Sequence, residues 1–352
     1  MSSRKYLKAT DLAQLSAVDI LQRCLNVETV VSTKSSFMQR SHLAVRYPDL
    51  QHIVEIGAGM QALSTNLVHE YSLHQAVVRA FDRYDGSVNS GVRVPRLFNI
   101  IRDTDEDFGT HNLDKFPTSY RTRGHMVTMD RILPLPKIVR KALISHFYAR
   151  DGDVLPDPGA IDAILDIPQN KHCLVRTYLG RDTGVLTKHG FSLRNFPLFL
   201  KPMQELGLDV MGLASTMGKA FAIMHWGAGV NGDDVEFVLG SSVIQGTGVE
   251  ALRLDVQQRA IGFYLLDFGQ CYVVDLSDDR DIVYQGFKGA MVTGDNQLFI
   301  PHYEKSPHLY AAFRKGYIEA GQVILQERTL ESKFSVVDFM NEYEEYAEDF
   351  LC

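Results

Sequence analysis

Cysteine is scarce in this chain and poorly placed for two common uses. Cys24, Cys173, Cys271 and Cys352 are far apart and form no Cys-x-x-Cys pair. That argues against a zinc knuckle, any other metal site on these thiols, and a disulfide framework. It predicts a reducing, cytoplasmic setting. Long apolar runs are missing too, so no membrane span is expected. The segment Met1-Ser2-Ser3-Arg4-Lys5-Tyr6 lacks the apolar core of a secretory signal. Excess positive charge is absent: the formal net charge is −7. No global field therefore draws in nucleic acid, and no DNA partner is expected. Internal repeats and low-complexity segments are absent, and tryptophan occurs once, at Trp226.

What remains is ordinary globular material. The chain has 352 residues, 45% hydrophobic and 22% charged, enough for one large domain or two lobes. Its charge is uneven. Arg121, Arg123, Arg131, Lys137, Arg140 and Lys141 face one acid, Asp130, whereas the tail carries Glu342, Glu344, Glu345, Glu348 and Asp349. Both runs suit solvated helix faces; the basic one would also suit a phosphate-contacting stripe.

Periodicity divides the chain into a helical lead-in over residues 1–50, an α+β lobe over 51–180 and a mainly helical lobe over 181–352. A strand is expected from Ile53 into the turn Gly57-Ala58-Gly59, and another over Ala76–Phe81. Residues 82–124 read as surface loop, and a helix is expected over Pro136–Tyr148. A connector follows over Asp151–Gly159, then a strand over Cys173–Leu179. Asp209 is placed to cap a helix with Val210, Leu213, Ala214, Met217, Ala220, Phe221 and Met224 on one face. Residues 241–259 read as a polar excursion and Ile261–Leu266 as a strand. Helices are expected over Leu309–Gln326 and Val336–Phe350.

The most informative run is His225-Trp226-Gly227-Ala228-Gly229-Val230-Asn231-Gly232-Asp233-Asp234-Val235-Glu236. Three carboxylates this close repel one another unless solvent, a cation or a basic ligand lies between them. A second acidic turn, Asp267-Phe268-Gly269, ends the strand Ile261–Leu266. Two carboxylate turns at strand ends suit a cation or a cationic substrate.

The order of a Gly-rich strand turn, Arg79, a helix, the strand Cys173–Leu179, a long helix into an acidic loop, and Asp267-Phe268-Gly269 resembles the protein-kinase-like fold. That resemblance implies two lobes. Departures accompany it. Arg79 stands where such enzymes place a lysine, and no His-x-Asp follows the long helix. Asn231 holds the base position and Glu236 the metal-binding Asn position. A second resemblance rests on Phe191-Ser192-Leu193-Arg194-Asn195-Phe196-Pro197-Leu198, Glu205-Leu206-Gly207-Leu208-Asp209, Ala222-Ile223-Met224-His225-Trp226, Asp234–Gly240 and Leu266-Asp267-Phe268-Gly269-Gln270-Cys271. These runs resemble a fungal family that includes arginine-containing cyclodipeptide synthases of secondary metabolism. The family's acidic motif is DDxxE; Asp233-Asp234-Val235-Glu236 is one residue tighter.

The second resemblance implies that arginyl-tRNA and another aminoacyl-tRNA condense to a cyclic dipeptide, with no ATP or other cofactor in that step. Asp233, Asp234, Glu236 and His225 would carry catalysis. Asp267, Arg79 and Trp226 would line the substrate site, with carboxylates gripping the guanidinium. The basic residues from Arg121 to Lys141 would hold tRNA. The kinase resemblance implies instead an ATP- and magnesium-dependent phosphotransferase, or an inactive binding module. Each residue has a plainer reading: His225 as a helix-end cap, Trp226 as core, Asp234 as a turn residue, Arg79 as a cross-strand partner of Glu55, and Cys271 as a buried apolar group.

Overall fold

Local chemistry sets many element ends. The Ser16 hydroxyl accepts from Asp19 N (3.1 Å) at the start of the helix Ala17–Cys24. Asp157 accepts from Ala160 N (3.0 Å) and Pro158 occupies the first turn of the helix Pro158–Asp166. Asp209 accepts from Gly212 N (2.8 Å) ahead of the helix Val210–Ala222, as expected. The computed structural model describes residues 5–34, 52–56, 61–112, 125–148, 157–184, 191–244 and 256–350.

The strands are β1 (Lys5–Lys8), β2 (Thr29–Lys34), β3 (His52–Ile56), β4 (Val92–Arg93), β5 (Leu97–Ile101), β6 (Met126–Asp130), β7 (Val175–Tyr178), β8 (Phe196–Phe199), β9 (Glu236–Ile244) and β10 (Val256–Leu266). They fall into two compact units, each assembled from three stretches of chain. One takes its residues from Met1–Leu50, Ile132–Leu213 and Phe237–Tyr264. The other takes them from Gln51–Arg131, Ala214–Glu236 and Leu265–Cys352. The expected division was three successive segments; the compact units interleave along the chain instead.

In the first unit the strand order is β1-β2-β10-β9-β7-β8. β1 runs parallel to β2 with Lys5 opposite Thr29, and β10 runs antiparallel to β2 with Ala260 opposite Val30. β7 is antiparallel to β9 and parallel to β8, Val175 facing Leu239 and Phe196. Phe237, Val238 and Leu239 are all buried, the continuous apolar pattern of a strand covered on both faces. The helices Ala17–Cys24 and Lys137–Phe147 pack together, the latter burying Val139, Ala142, Leu143, Ile144 and Phe147.

In the second unit β3, β6 and β5 form an antiparallel sheet. The helix Gln61–Val88 buries Leu73, Val77, Ala80, Phe81, Tyr84 and Val88. Helices Arg280–Met291, Pro307–Glu327 and Val336–Phe350 supply most of an aromatic core. Among the described residues no helix is long and apolar enough to cross a membrane. Helices and strands are mixed in both units, an α+β composition.

Several expectations need correction. The lead-in carries β1 and β2 besides its helices. Ala76–Phe81 is helical: its β-branched pair Val77-Val78 suggested a strand, but the buried positions repeat every three or four residues. Residues 82–124 include the end of that helix, β4, β5 and the helix Glu106–Asn112, while 113–124 lie outside the described residues. The expected excursion at 241–259 is partly strand, since β9 continues to Ile244 and β10 begins at Val256. The turn Gly57-Ala58-Gly59 and most of the connector lie outside the described residues.

Candidate functional site

The acidic loop begins where a helix is forced to stop. The helix Val210–Ala222 continues as a π-helical turn, Ile223–Ala228, and Gly229 ends it in the left-handed region (φ 67°). Such backbone suits glycine, which has no Cβ to clash. The chain then runs against the segment after Asp267. Val274 N donates to Gly229 O (2.8 Å) and Asn231 N to Tyr272 O (3.1 Å). Tyr272 N donates to the Asn231 side-chain oxygen (2.8 Å), and Cys271 Sγ donates to Asp233 O (3.2 Å). The two acidic turns are thereby joined by hydrogen bonds within one unit.

His225 supports this loop from below. Its Nε2 lies 3.0 Å from Asn231 O and its Nδ1 2.7 Å from the Tyr317 hydroxyl. A carbonyl only accepts, so Nε2 carries the proton and Nδ1 accepts from Tyr317. The ring stacks on Phe287 (4.3 Å, 4°). Burial pushes its pKa down to about 3, against a smaller opposing effect of the Asn231 bond. Both nitrogens are therefore committed on a neutral, fully enclosed ring, and the expected proton shuttle is corrected to a loop anchor. Trp226 is likewise enclosed (0% exposed) among Tyr284, Phe287, Phe334 and Phe339, which places it in the core and away from a substrate surface.

The carboxylates divide by environment. Asp233 is half-buried and accepts from Thr293 Oγ1 (2.9 Å). Burial raises its pKa, the charge of Asp234 adds to the rise, and the Thr293 bond opposes it. Asp234 has φ 55°, and its Oδ1 accepts from Asp295 N (2.9 Å). Gly294 fits beneath it: a Cβ there would stand 2.7 Å from Asp234 Oδ1. Glu236 opens β9 and is 9% exposed. Asp267 is exposed, with φ 67°. Burial raises the Cys271 pKa first, and Asp233, Asp267 and Asp234 raise it further, so all three act on one thiol. Glu70 joins them: its Oε2 and Asp267 Oδ1 each lie 3.6 Å from the point where a Cβ on Gly269 would stand.

Sequence reasoning missed Glu70, Thr293 and Asp295. Thr293-Gly294-Asp295-Asn296 carries a readable turn signature; nothing local marks Glu70, which the helix Gln61–Val88 brings in. Asn296 is buried, donating to Gly232 O (2.8 Å) and Ala290 O (2.9 Å) beneath the loop. Among the described residues no group of three His, Cys, Asp or Glu side chains is arranged to hold a metal ion.

The remaining expected residues are not gathered here. Arg79 is exposed on a helix, so its expected pairing with Glu55 across two strands is excluded. Arg121 and Arg123 lie outside the described residues. Arg131 is half-buried, and Lys137 is exposed. Arg140 donates to Leu135 O (3.1 Å) and Asn170 O (3.0 Å), a structural tie, and Lys141 pairs with Asp162 (2.5 Å). Comparison with known protein families, curated proteins and solved structures finds no match.

Proposed function

We propose that the chain is an arginine-containing cyclodipeptide synthase, built on a kinase-like arrangement of lobes, that joins arginyl-tRNA to a second aminoacyl-tRNA. The observation that carries this reading is the gathering of Asp233, Asp234, Asp267 and Glu70 about the Cys271–Gly269 turn. A guanidinium neutralises several carboxylates at once and is bound by them through paired N–H···O bonds. The family resemblance of these same runs supports the assignment.

The chemistry follows from the residues. The α-amine of one aminoacyl ester attacks the ester carbonyl of the other, and the ribose oxygen of that tRNA leaves. The free α-amine of the resulting dipeptidyl ester then attacks its own ester carbonyl, releasing the second tRNA and closing the ring. Both esters are already activated, so the enzyme supplies orientation and a base. Asp233, with its raised pKa, is the carboxylate that accepts a proton from an α-ammonium. On this reading Asp267 and Glu70 hold the guanidinium, and Asp234 fixes the loop.

The test is mass spectrometry of extracts from a heterologous host expressing this chain, beside soluble Asp233→Asn and Asp267→Asn variants. An arginine-containing cyclic dipeptide made by the native chain and lost in both variants is the expected result. Soluble native protein that yields none, in cells and with purified charged tRNAs, refutes it. The pairing of the acidic loop with the Asp-Phe-Gly turn also favours a second reading, phosphotransfer with magnesium at Asp267 and Glu236. A rise in melting temperature with ATP and magnesium would select that reading.

A further inference from the structure

Charge is divided between the two units. The stretches of the first carry 19 Lys and Arg against 14 Asp and Glu, those of the second 17 against 29. The chain's net −7 thus conceals a cationic unit and a strongly anionic one. A polyanion meets repulsion from the second unit, so its docking surface belongs to the first.

Within the first unit, one buried side chain ties together segments that carry several exposed basic residues. Asn170 is 1% exposed. Its Oδ1 accepts from Leu193 N (2.7 Å) and Ser192 Oγ (3.4 Å), and its Nδ2 donates to Ile164 O (2.8 Å). Its carbonyl accepts from Arg140 (3.0 Å). Lys171 and His172 follow Asn170 directly, Arg194 follows Leu193, and Lys137 precedes Arg140 by about one helical turn; all four are exposed. Among the described residues, Asp162 on the neighbouring helix is already paired with Lys141, and Asp166 on the same helix is exposed. Half-buried Tyr148 and Phe191 meet edge to face (5.4 Å) beside Ser192, adding rings to the same junction.

We propose that this face, with Lys137, Lys171, His172 and Arg194 around the Asn170 junction, is where the tRNA backbone docks. The proposal rests on the synthase reading. These basic residues come from separate segments tied together through Asn170, a convergence that suits a run of backbone phosphates. An interfacial membrane helix would instead place its lysines along one amphipathic helix above an apolar face.

Binding of deacylated bulk tRNA to the full chain, measured by filter retention between 50 and 200 mM salt, tests it. Lys171→Glu combined with Arg194→Glu is expected to weaken binding about 10-fold or more and to make the log–log salt slope shallower by about 1.4 to 1.8. Lys305→Glu combined with Lys315→Glu, an equal charge change on exposed sites of the second unit, is expected to leave the affinity within about two-fold. Circular dichroism checks folding, and Lys171→Gln with Arg194→Gln replaces the first pair if it misfolds. Equal effects from the two pairs, or none from the first, overturn the docking face and leave the synthase reading standing. No tRNA binding by the unsubstituted chain overturns both, as does binding only to phosphatidylserine vesicles run alongside.

Discussion

Lowering the pH from 7.0 to 5.5 is expected to cost the second unit about 2.5 kcal/mol through His74 and His225. His225 is 0% exposed and His74 4%. Burial lowers both pKa values from 6.5, to about 3 and about 4 respectively. Each ring also bonds a backbone carbonyl, Asn231 and Pro95, which opposes the shift only in part. The folded pKa is the depressed one, so the unfolded chain takes up its protons first as pH falls through 6.5. Stability is therefore present above that value and drains as pH falls towards the folded values. Over this window each histidine contributes roughly 1.2 kcal/mol, above the range where ordinary carboxylates titrate. Urea unfolding followed by the emission of Trp226 reads the result directly. Trp226 is the sole tryptophan, and it packs 5.2 Å from Phe287, the ring on which His225 stacks. His74→Gln and His225→Gln keep a polar group at each site but cannot take up a proton. Each should lower stability at neutral pH yet halve the loss on acidification, and the pair should nearly abolish it. A native chain that loses nothing over the window, or a double variant that loses as much as native, refutes the reasoning.

Three further substitutions probe the backbone of the second unit. Asp234→Asn keeps both the acceptor for Asp295 N and a residue type tolerant of φ 55°, so its melting temperature should match native. Asp234→Val loses the bond and forces a β-branched residue into left-handed backbone, and urea unfolding should show a loss of about 2–4 kcal/mol. Gly218→Ala should destabilise by about 3 kcal/mol or more in the same assay, because the added Cβ would overlap the carbonyl of Phe313; a Cβ on Gly316 would likewise overlap Ser215 O.

How far the fold was legible follows from the reach of each signal. The helices at Lys137–Phe147, Val210–Ala222, Pro307–Glu327 and Val336–Phe350 announce themselves by apolar positions three or four apart, and the second also by its Asp209 cap. Ala76–Phe81 misleads because a six-residue window holding Val77 and Val78 looks like a strand; only the wider set from Leu73 to Val88 shows the helical period. The interleaving of the two units is invisible locally. It depends on β9 and β10 joining β2 and β7, pairings between residues far apart in sequence. Trp226 and Cys271 were legible as core from residue type alone, since large aromatic and thiol side chains favour burial.

The acidic motif itself shows where reading by residue type stops. Asp233 and Asp234 are chemically identical neighbours, and their spacing to Glu236 presents them as one unit. Backbone geometry separates them. At φ 55° Asp234 meets the amide of Asp295, over a glycine that leaves no room for a Cβ. Asp233 accepts from the Thr293 hydroxyl and from the backbone of Asp234, bonds that do not overcome the pKa rise due to burial and to the charge of Asp234. A carboxylate that holds its proton more tightly is the stronger base, whereas one that ties the loop to the amide of a distant segment fixes geometry. On the proposed reading, Asp233 therefore moves protons while Asp234 keeps the loop in register. Asp234→Asn should then retain measurable cyclic dipeptide synthesis, and Asp233→Asn should not. Equal loss from the two substitutions, in equally stable proteins, would show that the charge of Asp234 reaches the substrate and that the division of roles is wrong.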